Sequence, residues 1–255
     1  MSARIAVPVF PGTNSEDETV RLLRDCGGDA ELVHWSEAAT LRQFDAFVLS
    51  GGFAYEDRIR AGAVAAHDRM MDFVIAAAEA DKLVFGICNG AQILLEAGLV
   101  PGTGPTRRPT AAFARNAPAP HFVCRHVYLK LAVDPARCPI TAALPSEALV
   151  PAWAAHAEGR LAATPEHLEE IVAGDHLAFV YAHADGTVDA KAVPNGSALG
   201  CAGLVNRAGN VLAIMPHPER DAWNFNHLDR AEGGELAAPS GGAALFRAFV
   251  KAVNR

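Results

Sequence analysis

Short apolar runs alternate with amphipathic stretches along the first hundred residues. Arg4-Ile-Ala-Val-Pro-Val-Phe10 favours extended structure and ends in a Pro-Gly turn. Ser15-Glu-Asp-Glu18 has the spacing of a capping box, in which the Ser15 hydroxyl accepts from an orphan amide and Glu18 reaches back. The helix it opens buries Val20, Leu22 and Leu23, and Gly27-Gly28 stops it. Ala30 to Trp35 and Ala46 to Leu49 read as further buried strands. Met70 to Ala80 reads as a helix, Lys82 to Ile87 as a strand and Ala91 to Ala97 as another helix. This alternation predicts an α/β fold: a doubly wound, mostly parallel sheet with helices on both faces.

The pattern is less regular afterwards. Residues 100–120 hold Pro101, Pro105, Pro109, Pro118 and Pro120 and read as a long surface loop. Phe122 to Val133 and Leu177 to His183 read as strands. Val205-Asn-Arg-Ala-Gly-Asn-Val211 reads as a hairpin turning at Gly209, with Leu212 to Met215 as its return. Ala243 to Val253 closes the chain as a helix. With no repeat and no linker, one domain over residues 1–255 is expected.

Composition narrows the function. The chain of 255 residues is 51% hydrophobic and 20% charged, which excludes disordered and fibrous classes. A net charge of −7 disfavours a nucleic-acid or anionic-membrane surface. Leu83 to Leu95, the longest uncharged apolar stretch, falls short of the ~20 residues that span a bilayer. Met1 to Pro8 lacks the pattern of a secretory leader. The cysteines Cys26, Cys88, Cys124, Cys138 and Cys201 are odd in number and form no C-x-x-C pair. A reducing cytoplasm is expected, without disulfides or a zinc ribbon.

The strongest chemical signal is Phe85-Gly-Ile-Cys88-Asn-Gly-Ala-Gln92, a buried strand running through Gly-x-Cys-x-Gly into a helix. This is the thiol form of a nucleophile elbow, which needs small residues around a sharp strand-to-helix turn. An elbow places Cys88 at the carboxyl end of the sheet and aims the Asn89 amide at an oxyanion beside the sulfur. The alternative is a small buried hydrophobe. A cysteine nucleophile needs a base and an orienting group, and Met215-Pro-His217-Pro-Glu219-Arg220 offers both. On an extended stretch His217 and Glu219 share a side, so the carboxylate fixes the imidazole tautomer. The same pair also suits metal ligation, but His156, His176 and His183 are scattered without ligand spacing, and no metal site is expected. Ser50-Gly-Gly52-Phe53 follows the third strand and reads either as a second oxyanion donor or as a plain turn. There is no Walker loop and no dinucleotide fingerprint.

Taken together, Pro11-Gly-Thr-Asn14, Ser50-Gly-Gly-Phe53, the Cys88 elbow, Phe122-x-Cys124-Arg125, His156-x-Glu158-Gly-Arg160, Pro194-Asn-Gly-Ser197 and Met215-Pro-His-Pro-Glu-Arg220 resemble the class I (triad) glutamine amidotransferases. Within that class they are similar to the glutaminase subunits of phosphoribosylformylglycinamidine synthases, along nearly the whole chain. The resemblance implies a flavodoxin-like sheet and a triad of Cys88, His217 and Glu219. It implies a glutamyl thioester, ammonia as product, and an oxyanion hole from Gly52 or Phe53 with Asn89. It further implies that Gln92 holds the substrate, L-glutamine. By the same resemblance the chain has no cofactor of its own, while a synthetase partner uses ATP and Mg, and a small adaptor subunit joins some such complexes. Ala54, Glu56, Ala91 and Ala157 depart from the usual pattern outside the triad. The competing readings are a stand-alone elbow-cysteine hydrolase and a non-catalytic assembly subunit.

Overall fold

Strand and helix alternate from the first described residue, and the order of the strands in space, not in sequence, builds the site. The structure is a computed structural model that describes residues 3–104, 106–228 and 235–255. Met1, Ser2 and Pro105 of the proline-rich stretch therefore lie outside the described residues. The elements are β1 (Arg4–Val9), α1 (Glu16–Asp25), β2 (Asp29–His34), β3 (Ala46–Leu49), α2 (Arg69–Glu79), β4 (Leu83–Ile87), α3 (Asn89–Glu96), β5 (Ala111–Arg115) and β6 (Val123–Leu131). They continue with β7 (Leu149–His156), β8 (Glu158–Ala163), α4 (Pro165–Ala173), β9 (Phe179–Ala182), β10 (Cys201–Val205), β11 (Val211–Ile214) and α5 (Ala243–Val253).

Among the described residues, nine strands form one sheet in the order β2-β1-β3-β4-β11-β10-β9-β6-β7. Strands β2, β1, β3, β4, β11, β9 and β7 run one way, and only β10 and β6 oppose them. The α/β class read from the sequence holds. Helices cover both faces, as two consecutive residues of β4 demonstrate. Phe85 packs on Phe246 and Phe249 of α5, whereas at Gly86 a β-carbon would meet Leu94 of α3. Neighbouring strand residues point to opposite faces, so α5 and α3 lie on opposite sides.

Three expectations change. The 100–120 stretch is not all loop: β5 pairs antiparallel with β8 in a separate ribbon. Strand β2 is only partly buried, with Ala30 and Val33 covered and Leu32 exposed, because it is the edge of the sheet. The capping box does not form. Ser15 Oγ donates to Asn14 Oδ1 and accepts from Arg220 at 2.9 Å, while Glu18 lies 3.8 Å from the same guanidinium. A cation brought in from the far end of the chain outcompetes the local cap.

Close packing at Gly90 fixes the elbow. A β-carbon on Gly90 would fall 2.0 Å from the Leu49 carbonyl oxygen, so α3 can approach β3 only with glycine there. Gly186 has φ of 81° but open space around its missing β-carbon. Gly90→Ala should therefore lower the stability by 3 kcal/mol or more, roughly the upper range for overpacking. Gly186→Ala should cost only about 1–2 kcal/mol of backbone strain. Urea midpoints of the two variants compare them directly.

Candidate active site

Strand β4 pairs in parallel with β3 on one side and β11 on the other, setting Leu49 opposite Gly86 and Ile214 opposite Ile87. The loops after these three strands therefore open at the same sheet edge, although the chain runs far afield between them. At the end of β4, Cys88 takes φ 51° and ψ −108°. Such a conformation costs a non-glycine residue about 1–3 kcal/mol and persists only where its surroundings impose it. Here the Cys88 amide donates to the Ile214 carbonyl at 2.9 Å, and its carbonyl accepts from the Gln92 amide at 3.0 Å. The sulfur emerges at the start of α3, with Sγ 3.9 Å from the Ala155 carbonyl of β7 and the residue 6% exposed.

Prolines shape the partner loop. Met215 and His217 each precede a proline, which disfavours the helical region for both. His217 is extended, at φ −100° and ψ 95°, and exchanges two backbone hydrogen bonds with Trp153 of β7 at 2.8 and 3.1 Å. Gly51 makes room for its ring, since a β-carbon there would lie 2.5 Å from His217 Cε1. Glu219 sits on a single 3-10 turn, Pro218–Asp221, instead of continuing the extended stretch. It still meets the ring, with Oε1 2.5 Å from Nδ1. The Cys88 side chain lies near the imidazole and interacts with it electrostatically. Burial by itself would push His217 down, but the Glu219 carboxylate and then the Cys88 sulfur outweigh it and hold the ring up at about 10. The imidazolium is thus the resting form at neutral pH.

The Gly-Gly loop lies beside this pair. Thr13 and Gly52 form a bridge, and Gly12 packs so closely that a β-carbon on it would overlap the Phe53 carbonyl. The Pro11-Gly-Thr-Asn14 motif is therefore the backing of the Gly-Gly loop. Phe53 does not serve as the free oxyanion donor, because its amide donates to the Gly12 carbonyl at 2.9 Å. Among the described residues, no acceptor takes the amides of Gly52 and Asn89. The Asn89 side chain ties loop to elbow by accepting from the Ala54 amide at 3.0 Å.

Gln92 also departs from expectation. Its carbonyl oxygen accepts from Asn89 Nδ2 at 2.9 Å and its amide donates to the Glu158 carbonyl at 2.5 Å. Both ends are spent inside the protein, so Gln92 acts as a strut from the elbow to the turn between β7 and β8. The other motifs support that turn. Asn195 donates to the Gly159 carbonyl at 2.7 Å, and Ser197 Oγ accepts from the Leu161 amide at 3.0 Å. Gly159 leaves space for the His156 ring, whose atoms a β-carbon would approach to 2.3 Å. His156 is buried with both ring nitrogens unpartnered, and burial, then the charge on His217, push it down to about 4. Sequence reasoning missed the Ala155 carbonyl and the Trp153 bridge, both backbone features with no side-chain signature.

The family of CobB/CobQ-like glutamine amidotransferase domains matches residues 2–253. The chain is 43% identical to the phosphoribosylformylglycinamidine synthase subunit PurQ of Salinibacter ruber, over 86% of this chain and 88% of that protein. It is 39% identical to the protein of the same name from Rhodospirillum rubrum, over 98% and 99%. Among solved structures, PurLQS from Thermotoga maritima has a chain that superposes with a TM-score of 0.75 at 28% identity, covering 98% of this chain and 99% of that one.

The buried His156 predicts an acid-sensitive fold. Its proton is bound more readily by the unfolded chain, so its contribution to stability is complete above 6.5 and is lost as pH falls from there through about 4. His156→Leu should reduce the stability lost across that window by on the order of 2–3 kcal/mol. Urea unfolding of both proteins through the window measures this, and an unchanged slope would contradict it.

Proposed function

The chain belongs to the family of CobB/CobQ-like glutamine amidotransferase domains, and on that premise we propose that it is the glutamine-hydrolysing subunit of a phosphoribosylformylglycinamidine synthase. The observation that carries the chemistry is the convergence of Cys88 with a buried, charged His217–Glu219 pair at the carboxyl edge of the sheet. Relatives of the same named subunit match nearly from end to end. A stand-alone hydrolase or an assembly-only subunit is therefore not favoured.

In this proposal Cys88 Sγ, its proton held on His217, adds to the side-chain carbonyl carbon of glutamine. The negative charge that develops on oxygen is met by the Gly52 and Asn89 amides, one such donor being worth roughly 3–4 kcal/mol where measured in another hydrolase. His217, already protonated, gives its Nε2 proton to the amide nitrogen as the C–N bond breaks, and ammonia leaves a glutamyl thioester. The now neutral ring takes a proton from water, whose oxygen attacks the thioester. Glutamate leaves, and the proton returns to the sulfur–imidazole pair. Glu219 keeps Nδ1 protonated throughout, so Nε2 alone exchanges protons.

The ammonia passes to the synthetase subunit, which uses ATP and Mg to convert formylglycinamide ribonucleotide to formylglycinamidine ribonucleotide in purine biosynthesis. The name PurLQS, for the Thermotoga maritima structure, supports a third, adaptor subunit in such assemblies. This chain supplies no cofactor to the reaction. We take residues 1–255 as one domain, supported by a sheet that runs from β1 to β11 and a family match of similar span. Five unpaired cysteines support a cytoplasmic location, and among the described residues no helix is long and apolar enough to cross a membrane.

Cys88→Ala tests the assignment in the complex reconstituted with its synthetase. Glutamine-dependent product formation should fall by on the order of a thousandfold or more, while turnover with added ammonium stays at the wild-type level. Retained glutamine turnover would contradict the role of the thiol.

A further inference from the structure

Behind the triad, three side chains from separate parts of the chain converge without belonging to it. His126 comes from β6, Asp221 ends the turn that carries Glu219, and His227 lies in the loop beyond. Asp221 is wholly buried, with Oδ2 2.6 Å from His126 Nε2 and Oδ1 2.5 Å from His227 Nδ1. One donor atom from each of the three lies within 4.8 Å of the others. Among the described residues, the ion-pair partners of the buried carboxylate are these two imidazoles, with no Lys or Arg, and Ser240 Oγ donates to Oδ1 at 3.3 Å. The His126 ring is fixed edge-on against Tyr128 and Trp153, at 5.1 and 5.3 Å between centroids. Sequence spacing gave no hint of this group, since His126 and Asp221 stand 95 residues apart.

We infer that His126, Asp221 and His227 form a binding site for a divalent transition-metal ion of the zinc type. Two imidazoles and a carboxylate are the donor set that such borderline ions select, with a fourth position left for water. The His227 side chain is 21% exposed, which gives that position access to solvent. In a tetrahedral site, an ion about 2.0–2.2 Å from each donor sets neighbouring donors roughly 3.3–3.6 Å apart. The N–O separations of 2.5 and 2.6 Å then open by about 0.7–1 Å as the ion takes the place of the bridging protons, each ring carrying its remaining proton on its other nitrogen. The site is a clamp: it joins the turn bearing Glu219 to β6, and Trp153 touches both its His126 ring and the His217 backbone. It takes no part in thioester chemistry.

The test uses tag-free full-length protein carrying Cys88→Ala, so that the thiol–imidazole pair cannot take metal. After EDTA treatment, Zn²⁺ is titrated against a competing chelator, with thermal unfolding followed in parallel. The expected result is uptake of one ion per chain with a raised Tm. His227→Gln, at a partly exposed loop position that leaves the core intact, should weaken binding by about a hundredfold or more and remove the Tm shift. Uptake below one equivalent, or equal affinity in His227→Gln, would overturn the inference and leave the cluster a hydrogen-bonded clamp.

Discussion

Everything at this site depends on backbones that approach more closely than side chains ordinarily allow. Gly90 lets α3 rest on the end of β3, Gly86 lets Leu94 of α3 press on β4, and Gly51 leaves the volume that the His217 ring occupies. Without those three vacancies the Cys88 turn cannot hold its positive φ, and the imidazole cannot reach the sulfur. The Gly-x-Cys-x-Gly pattern is thus a packing requirement before it is a catalytic one.

Electrostatics builds on that geometry. A fully buried imidazole would be neutral on solvation grounds, yet Glu219 at 2.5 Å and the sulfur opposite reverse the preference. Within reach of the His217 charge, His156 has no such partner and is held neutral by the same burial. Two histidines in one low-dielectric region therefore carry opposite protonation, and the difference lies in their partners, above all one carboxylate. Arg220 extends the arrangement outward by linking the residue after Glu219 to Ser15 and Glu18 at the start of α1.

Much of this was legible in the sequence wherever a local pattern carries the physics. The strands β1, β3 and β4, the helices α2 and α5, and the elbow all follow from periodicity, punctuation and glycine spacing. What escaped depends on tertiary contacts. Strand β5 hides in a proline-rich stretch because its extended form is secured only by β8. The capping box at Ser15 looked complete, but a cap hydrogen bond is worth little against a guanidinium arriving 205 residues away. Phe53 and Gln92 have positions suited to substrate contact in the sequence, but in the fold Gly12, Asn89 and Glu158 already occupy their polar groups.

The central claim is that Cys88 is a nucleophile set for glutamine by its contact with His217. Incubation with a chloroketone analogue of glutamine, followed by intact-protein mass and peptide mapping, examines it directly. The account predicts one adduct per chain, located at Cys88, formed with loss of chloride, slowed by free glutamine and nearly abolished by His217→Asn. Modification confined to the exposed Cys124, or labelling of Cys88 that glutamine and His217→Asn leave unaltered, would contradict it.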